Sequence, residues 1–343
     1  MFGFRCTLVV GSITMSLRSE GSQYQQPTTS ASDLSRLAME FTPPTAEQIV
    51  RAHQNVGANE NSIKEAKEIL LSWLKTQPHL PDAIDEVRLE RLYLNCKCSL
   101  ERTKVALDAY FSLRSRMPEL LQGRDLLRPD MQAMAQDVML FPMPRLTPEG
   151  YRVHLSLGAV TDLSKYNPDA YVKLFLMMLE VRLAEDLTPG DVYIIDCGQY
   201  TMAHIASFGP ARVRKIEMCV RTAYCSRIKA LHFVNMSQVA DLLYKIIVNT
   251  FSSKLAKRVH VHSKTANALL DHLPAECLPD ELGGNAGPAR EMWEAWKSKL
   301  WSYRDWFLKQ DSVTSDETRR PGKDPYGEGL FGCEGSFRKL QLD

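Results

Sequence analysis

The sequence predicts an α/β fold in which a helical N-terminal region precedes a mostly parallel sheet. In the second half of the chain, short runs of β-branched and aliphatic residues alternate with longer segments of helical period. This alternation is typical of parallel strands joined by right-handed crossovers. Residues 45 to about 117 show helical period with short breaks. A chain of 343 residues is long enough for two such parts, each with its own core.

The helices of the N-terminal part are predicted from apolar periodicity and from their start and stop signals. Ser62 and Glu65 have the spacing of a capping box, and Pro78 and Pro81 end the helix that follows them. One face of that helix carries the apolar residues Ile63, Ala66, Ile69, Leu70, Trp73 and Leu74.

Four segments of the second part are predicted to be strands. Residues 152–157 alternate apolar and polar side chains, so we expect a strand with one exposed face. Residues 192–196 follow Gly190 and form a second strand. Residues 227–234 contain no Gly or Pro and predict a buried strand, and residues 258–262 predict a short one.

A strongly apolar helix is predicted directly after the strand of residues 227–234. Its apolar positions follow the helical period, and its polar residues fall on one narrow stripe. Such a helix is either a plain core helix or one that covers a cavity on one side and contacts a membrane on the other. The apolar positions are Val239, Leu242, Leu243, Ile246, Ile247 and Phe251.

The common enzyme signatures of α/β folds are missing. No Gly-x-Ser-x-Gly elbow, Walker loop or Gly-x-Gly-x-x-Gly turn follows a predicted strand, so we nominate no catalytic residue and expect no enzyme. His260 and His262 share one face of a strand. As metal ligands they would need a third partner that the sequence does not identify, so we favour a structural or hydrogen-bonding role and predict no metal.

Composition limits the functional class further. The chain has 42 basic and 41 acidic side chains, which argues against nucleic-acid binding by bulk charge. Its eight cysteines show no repeated spacing and are expected to be reduced thiols in the cytoplasm. Residues 1–17 resemble a signal peptide only weakly, and no run of eighteen apolar residues predicts a membrane span. Residues 1–44 and 311–343 are predicted to be disordered.

Several motifs, taken in order, resemble the CRAL-TRIO lipid-binding domain, the family of the cellular retinaldehyde-binding and α-tocopherol transfer proteins. The resemblance covers about residues 45–310 and implies a helical subdomain at 45–125, then a CRAL-TRIO α/β/α domain at 126–310 with a helical gate. The motifs are residues 190–196 (GDVYIID), residues 227–235, Lys254, residues 258–262 (RVHVH) and residues 278–284 (LPDELGG).

This resemblance implies an apolar ligand pocket between the sheet and its helices, with the helix after Asn235 as the gate. The alternative is that the inward-facing side chains simply fill one another's space. The pocket residues it implies are Phe175, Leu179, Tyr193, Ile195, Val220, Tyr224, Leu231, Phe233, Leu243 and Ile247.

The resemblance also implies a phosphoinositide headgroup site at Arg227, Lys254 and Arg258. A solvated basic face is the alternative. The expected function is that of a monomeric cytoplasmic carrier that associates transiently with membranes. It would bind a retinoid, tocopherol (vitamin E), carotenoid or similar lipid, with no other cofactor, and exchange it at membranes that contain phosphoinositides. A regulatory module that binds a phosphoinositide or a protein, and transports nothing, is the second reading.

Overall fold

The structure is a computed structural model that describes residues 40–326 except 43, 83, 237–244, 247–248, 250–252 and 263–265. Residues 266 and 267 are described by their backbone alone. Most of the predicted gate helix, including Leu243 and Ile247, therefore lies outside the described residues. The same holds for the possible signal peptide and for residues 327–343.

The described residues 40–138 contain six helices, in agreement with the predicted helical character of the N-terminal part. Asn59 caps the second of them and accepts a hydrogen bond from the backbone N–H of Ser62, so the cap lies three residues before the predicted position. The buried face contains Ile63, Leu70 and Leu74. The helices are α1 (Ala46–Gln54), α2 (Glu60–Lys75), α3 (Glu86–Asn95), α4 (Leu100–Arg116), α5 (Pro118–Leu121) and α6 (Pro129–Asp137).

A five-stranded sheet follows, with the strands in sequence order across it. The first two strands are antiparallel and the other pairs are parallel, which confirms the prediction of a mostly parallel sheet. Sequence analysis did not predict the first strand, which contains Pro142 and Pro144 and forms one edge of the sheet. The strands are β1 (Met139–Leu146), β2 (Arg152–Leu157), β3 (Asp191–Asp196), β4 (Ile228–Val234) and β5 (Val259–Val261).

Helices cover both faces of the sheet. The long α7 (Pro168–Glu185) and the kinked α8 (Met202–Met218) lie on the face of Tyr193 and Leu231. On the other face α11 (Ala289–Ser302) packs with Trp293 close to Phe141 of β1, their ring centroids 6.5 Å apart. Three further α-helices of the described residues are α9 (Ser253–Ala256), α10 (Ala266–Leu270) and α12 (Arg304–Gln310).

The prediction of an exposed polar face on β2 is wrong. All six residues of the strand are buried. Arg152 forms a two-pronged ion pair with Asp186 at 2.9 Å, and His154 lies 3.2 Å from Asp191. Alternation marks the two faces of a strand, but here Asp186, which follows α7, and Asp191 of β3 supply charged partners that allow the polar face to be buried. Arg182 of α7 joins both carboxylates in the same cluster.

The tail prediction is also wrong for residues 311–326. Arg320 holds Asp108 of α4 with two hydrogen bonds of 2.8 and 2.9 Å, and the side chain of Tyr326 is buried. The backbone N–H of Ser315 donates to the carbonyl of Phe111. Each of these contacts is made by a single residue. No repeated spacing of apolar residues therefore predicts from the sequence that this segment is ordered.

Among the described residues, no helix combines the length and the apolar character that crossing a membrane requires.

Candidate functional site

An apolar cavity of about 180 Å³ lies between the sheet and the helices α7 and α8. Six of the ten sequence-predicted pocket residues line it: Phe175, Tyr193, Ile195, Val220, Leu231 and Phe233. Its other described lining residues are Tyr171, Phe208, Val213, Ile216, Glu217, Arg221, Ile228 and Leu255.

The regular spacing of side chains along the surrounding strands and helices explains why these residues converge. Tyr193 and Leu231 are partners across β3 and β4, and so are Ile195 and Phe233. A strand places alternate residues on one face, so these four side chains form the floor of the cavity. Helical spacing then aligns Tyr171 with Phe175 on α7, and Val213 with Ile216 on α8.

Leu179 and Tyr224 do not line this cavity. Both border a separate polar cleft that also contains Arg91, Arg182 and Asp186. A π-helical turn, Cys219–Ala223, separates α8 from Tyr224. A π turn holds more residues than an α turn, so it changes the direction of the side chains that follow. The apolar spacing of Val213, Ile216, Val220 and Tyr224 predicts one continuous helix over about residues 210–224, and this prediction misplaces Tyr224.

The hydroxyl of Tyr193 is buried, which raises its pKa, and its polar neighbours are Ser226, Asp191 and Arg182, which line the polar cleft. The ring of Tyr193 stacks on His154, with their centroids 4.6 Å apart. Tyr193 therefore lines the cavity with its ring, while its hydroxyl lies near the polar cleft.

The three predicted headgroup residues differ in their surroundings. The guanidinium of Arg227 donates to the backbone carbonyls of Leu94 and Asn95 at the C-terminal end of α3. Arg258 donates to the carbonyl of Ile228, the residue after Arg227. Lys254 is exposed at the start of α9. Arg227 and Arg258 therefore lie near the same end of β4, but part of their hydrogen-bonding capacity is already used by the backbone.

A buried carboxylate, Glu180 of α7, joins the helical subdomain to the sheet domain. Its side chain is fully buried and accepts hydrogen bonds from the hydroxyls of Tyr110 and Tyr224 at 2.8 and 2.9 Å. Burial alone would raise the pKa of Glu180, but the surrounding guanidinium groups hold it below its usual value. Three arginines surround the carboxylate: Arg114 at 2.6 Å, Arg124 at 3.5 Å and Arg88 at 3.7 Å.

Four histidine rings meet on the sheet face opposite the cavity. His232 of β4 pairs with His260 of β5, and His262 follows β5. The Nδ1 atom of His232 lies 2.9 Å from the Nε2 atom of His262. The exposed ring of His272 lies with its centroid 5.0 Å from that of His232. Burial, together with the three neighbouring rings, lowers the pKa of His232 to about 3.

Sequence analysis found only half of this cluster. It placed His260 and His262 on one face but overlooked His232, which lies on the neighbouring parallel strand two residues before the strand ends. Even residues of both strands share that face, so the register would have revealed His232. His272 lies after α10, in a turn whose position no periodicity predicts.

Comparison with known proteins settles the family. Residues 138–284 match the family model described as CRAL/TRIO domain, a range that begins just before β1 and includes all five strands, α7 and α8. The chain is a CRAL-TRIO family protein. CRAL-TRIO is a family of lipid-binding and lipid-transfer proteins. Within the helical subdomain, residues 59–131 match the model described as Pinta-like, UBA domain.

Several curated proteins are similar over most of this CRAL-TRIO chain. "Alpha-tocopherol transfer protein-like" of Homo sapiens is 26% identical over 239 residues, which cover 69% of this chain and 68% of that protein. The Mus musculus protein of the same name is 24% identical over 305 residues, covering 85% and 88%. Clavesin-2 of Rattus norvegicus is 24% identical over 181 residues, covering 52% and 55%.

Among solved structures, the crystal structure of Sfh5 covers 74% of this chain and 99% of its own, with 14% identity and a TM-score of 0.47. A likeness this distant supports no further conclusion.

Proposed function

We propose that this CRAL-TRIO protein is a carrier that binds one hydrophobic small molecule in the cavity above β3 and β4. The observation that supports the proposal is the cavity itself. Its floor is built from Tyr193, Ile195, Leu231 and Phe233, and its described lining is almost entirely apolar. The ligand class is a retinoid, a tocopherol or a lipid of similar shape, in keeping with the relatives named for tocopherol transfer.

The size of the hydrophobic effect makes such binding strong enough for a carrier. A ligand that buries about 400 Å² of apolar surface gains about 10 kcal/mol at 25 cal/mol per Å². The loss of translational and rotational freedom on binding offsets part of this gain.

Native mass spectrometry of the protein purified from cells that express it tests this proposal. We expect a mass excess equal to one apolar small molecule per chain, which extraction with organic solvent removes. The extracted protein should then take up a fluorescent tocopherol or retinoid from phosphatidylcholine vesicles. A bare chain that takes up neither probe would contradict the carrier and favour the regulatory module.

The proposed carrier releases its ligand at membranes that contain phosphoinositides, through cations near the gate. Lys254 and Lys257 are exposed beside Arg258, directly before β5. Each cation near an anionic membrane surface contributes about 1 kcal/mol. Arg227 is bound to the end of α3, so we expect Lys254 and Arg258 to contribute more than Arg227 does.

The double variant Lys254→Ala, Arg258→Ala should lose its preference for phosphoinositide vesicles. We expect a loss of about 2 kcal/mol, or roughly 30-fold in affinity, because two cations are removed. The measurement compares binding to phosphatidylinositol bisphosphate vesicles with binding to phosphatidylserine vesicles of equal charge at about 0.15 M salt.

The matched control is Lys64→Ala, Lys75→Ala, which removes the same charge from exposed positions of α2. Both double variants should retain the apolar ligand. If the two double variants weaken binding equally, or if the unchanged protein shows no preference between the vesicles, the headgroup site does not exist and the basic residues form only a solvated face.

A further inference from the structure

The histidine cluster on the face opposite the cavity has the composition of a transition-metal site. His232, His262 and His272 each offer one ring nitrogen, and these three atoms all lie within 4.8 Å of one another. The three residues come from β4, from the end of β5 and from the turn after α10. We propose that this CRAL-TRIO protein binds one divalent first-row transition ion, of the Zn²⁺ class, through His232, His262 and His272.

The distances are close to those that a metal would impose. Nitrogen ligands lie about 2.0–2.1 Å from a zinc ion, so two ligands of a tetrahedral site are roughly 3.3 Å apart. Nδ1 of His232 and Nε2 of His262 are 2.9 Å apart, slightly closer than that, and all three ligand atoms lie within 4.8 Å of one another. The exposed His272 is the ring with the freedom to close the remaining gap.

The surroundings also fit a metal better than a simple hydrogen bond. One imidazole hydrogen bond needs two rings, but here a third and a fourth ring meet at the same place. The ring of His260 stacks on His232 at 4.8 Å between centroids and lies 5.1 Å from His272. Imidazole is a ligand suited to zinc, copper, nickel and iron. Water would complete a four-coordinate site.

The cluster also offers an entry route and a structural consequence. His232 is 1% exposed, whereas His272 is exposed, so an ion reaches the buried ligand from the surface through the exposed one. β5 is an edge strand of three residues. An ion held by these histidines would tie that edge to β4 and to the turn after α10, and bound metal would raise the temperature of unfolding.

Metal titration of the chelator-treated full chain tests the site. We expect one Zn²⁺ per chain and a higher thermal midpoint when the ion is bound. His272→Ala is the informative variant, because its ring is exposed and we expect its removal to leave the fold intact. This variant and His262→Gln should each bind Zn²⁺ at least about tenfold more weakly, while His53→Ala, on α1 and outside the cluster, should bind it as the unchanged chain does.

The chemical nature of the ligands provides the second readout, because the thiols of Cys96 and Cys225 lie 3.2 Å apart and are also able to bind zinc. X-ray absorption of the zinc-loaded chain should show nitrogen neighbours at about 2.0–2.1 Å and no sulfur at about 2.3 Å. A sulfur shell, unchanged affinity in both cluster variants, or the lack of stoichiometric binding would each overturn the proposal. None of these results depends on whether the opposite face binds a lipid.

Discussion

Replacing Glu180 by Ala should reduce the free energy of unfolding by about 3–5 kcal/mol, because it leaves buried cations without their counter-charge. Arg114 and Arg124 are almost fully buried, and both lie within 3.5 Å of the Glu180 carboxylate. The hydroxyls of Tyr110 and Tyr224 lose their acceptor in the same change. A loss of this size is comparable to a large part of the stability of an ordinary protein.

Urea unfolding followed by circular dichroism measures this effect, and a second carboxylate of α7 provides the control. Glu185 pairs with Lys299 at 2.9 Å, and its side chain is 29% exposed. Exposed pairs contribute at most about 1 kcal/mol, so Glu185→Ala should be mild. Equal losses in the two variants would show that the arginines around Glu180 find other partners once the carboxylate is gone.

The pH dependence of the same carboxylate supplies an independent check. The pKa of Glu180 in the folded state is held below its usual value, whereas in the unfolded chain it is about 4.3. The carboxylate therefore stabilises the fold above about pH 4.3, and this contribution is lost as the pH falls through the folded pKa. Glu180→Gln should differ most from the unchanged protein near neutral pH, and the difference should shrink in acid. A difference that stays constant with pH would contradict the assigned charge.

The network around Glu180 is an example of contacts that the spacing of residues in the sequence does not predict. Apolar periodicity predicted the helical character of the N-terminal part and four of the five strands, because the spacing of apolar residues records which side of an element is buried. It carries no information about buried charges. Arg152 and Glu180 occupy positions that a period-based reading assigns to solvent, and only their partners on other elements make their burial favourable.

The candidate sites also contain some residues that the sequence predicts and others that it does not. Tyr193, Ile195, Leu231 and Phe233 converge because strand alternation and parallel register are local rules that extend across the sheet. Tyr224 was misplaced because a π-helical turn changes the period without an obvious signal in the composition. The histidine cluster required His272, whose position depends on the path of a turn after α10.

The second prediction with a large expected effect concerns Ile216 of α8, in the lining of the proposed cavity. This residue lines the cavity, is only partly buried and lies on a helix above the sheet, so changing it disturbs the fold less than changing a floor residue. Ile216→Trp adds apolar volume inside the cavity, and Ile216→Asp places an unpaired charge there. An unpaired buried charge costs more than the roughly 3 kcal/mol of an unpaired buried polar group.

Both Ile216 variants should therefore bind a tocopherol or retinoid probe at least about 100-fold more weakly than the unchanged protein, since each tenfold change corresponds to 1.4 kcal/mol. Fluorescence titration measures the affinity, and circular dichroism verifies the fold. Ile69→Trp is the control, because it makes the same exchange at a position of α2 that is 48% exposed. If Ile216→Trp retains the probe while remaining folded, the ligand lies elsewhere, and the space between α8 and the sheet is a packing gap. If both the Trp and the Asp variant lose binding and the control retains it, the ligand lies against α8. The two substituted side chains differ in size, polarity and charge, so their common effect comes from their position.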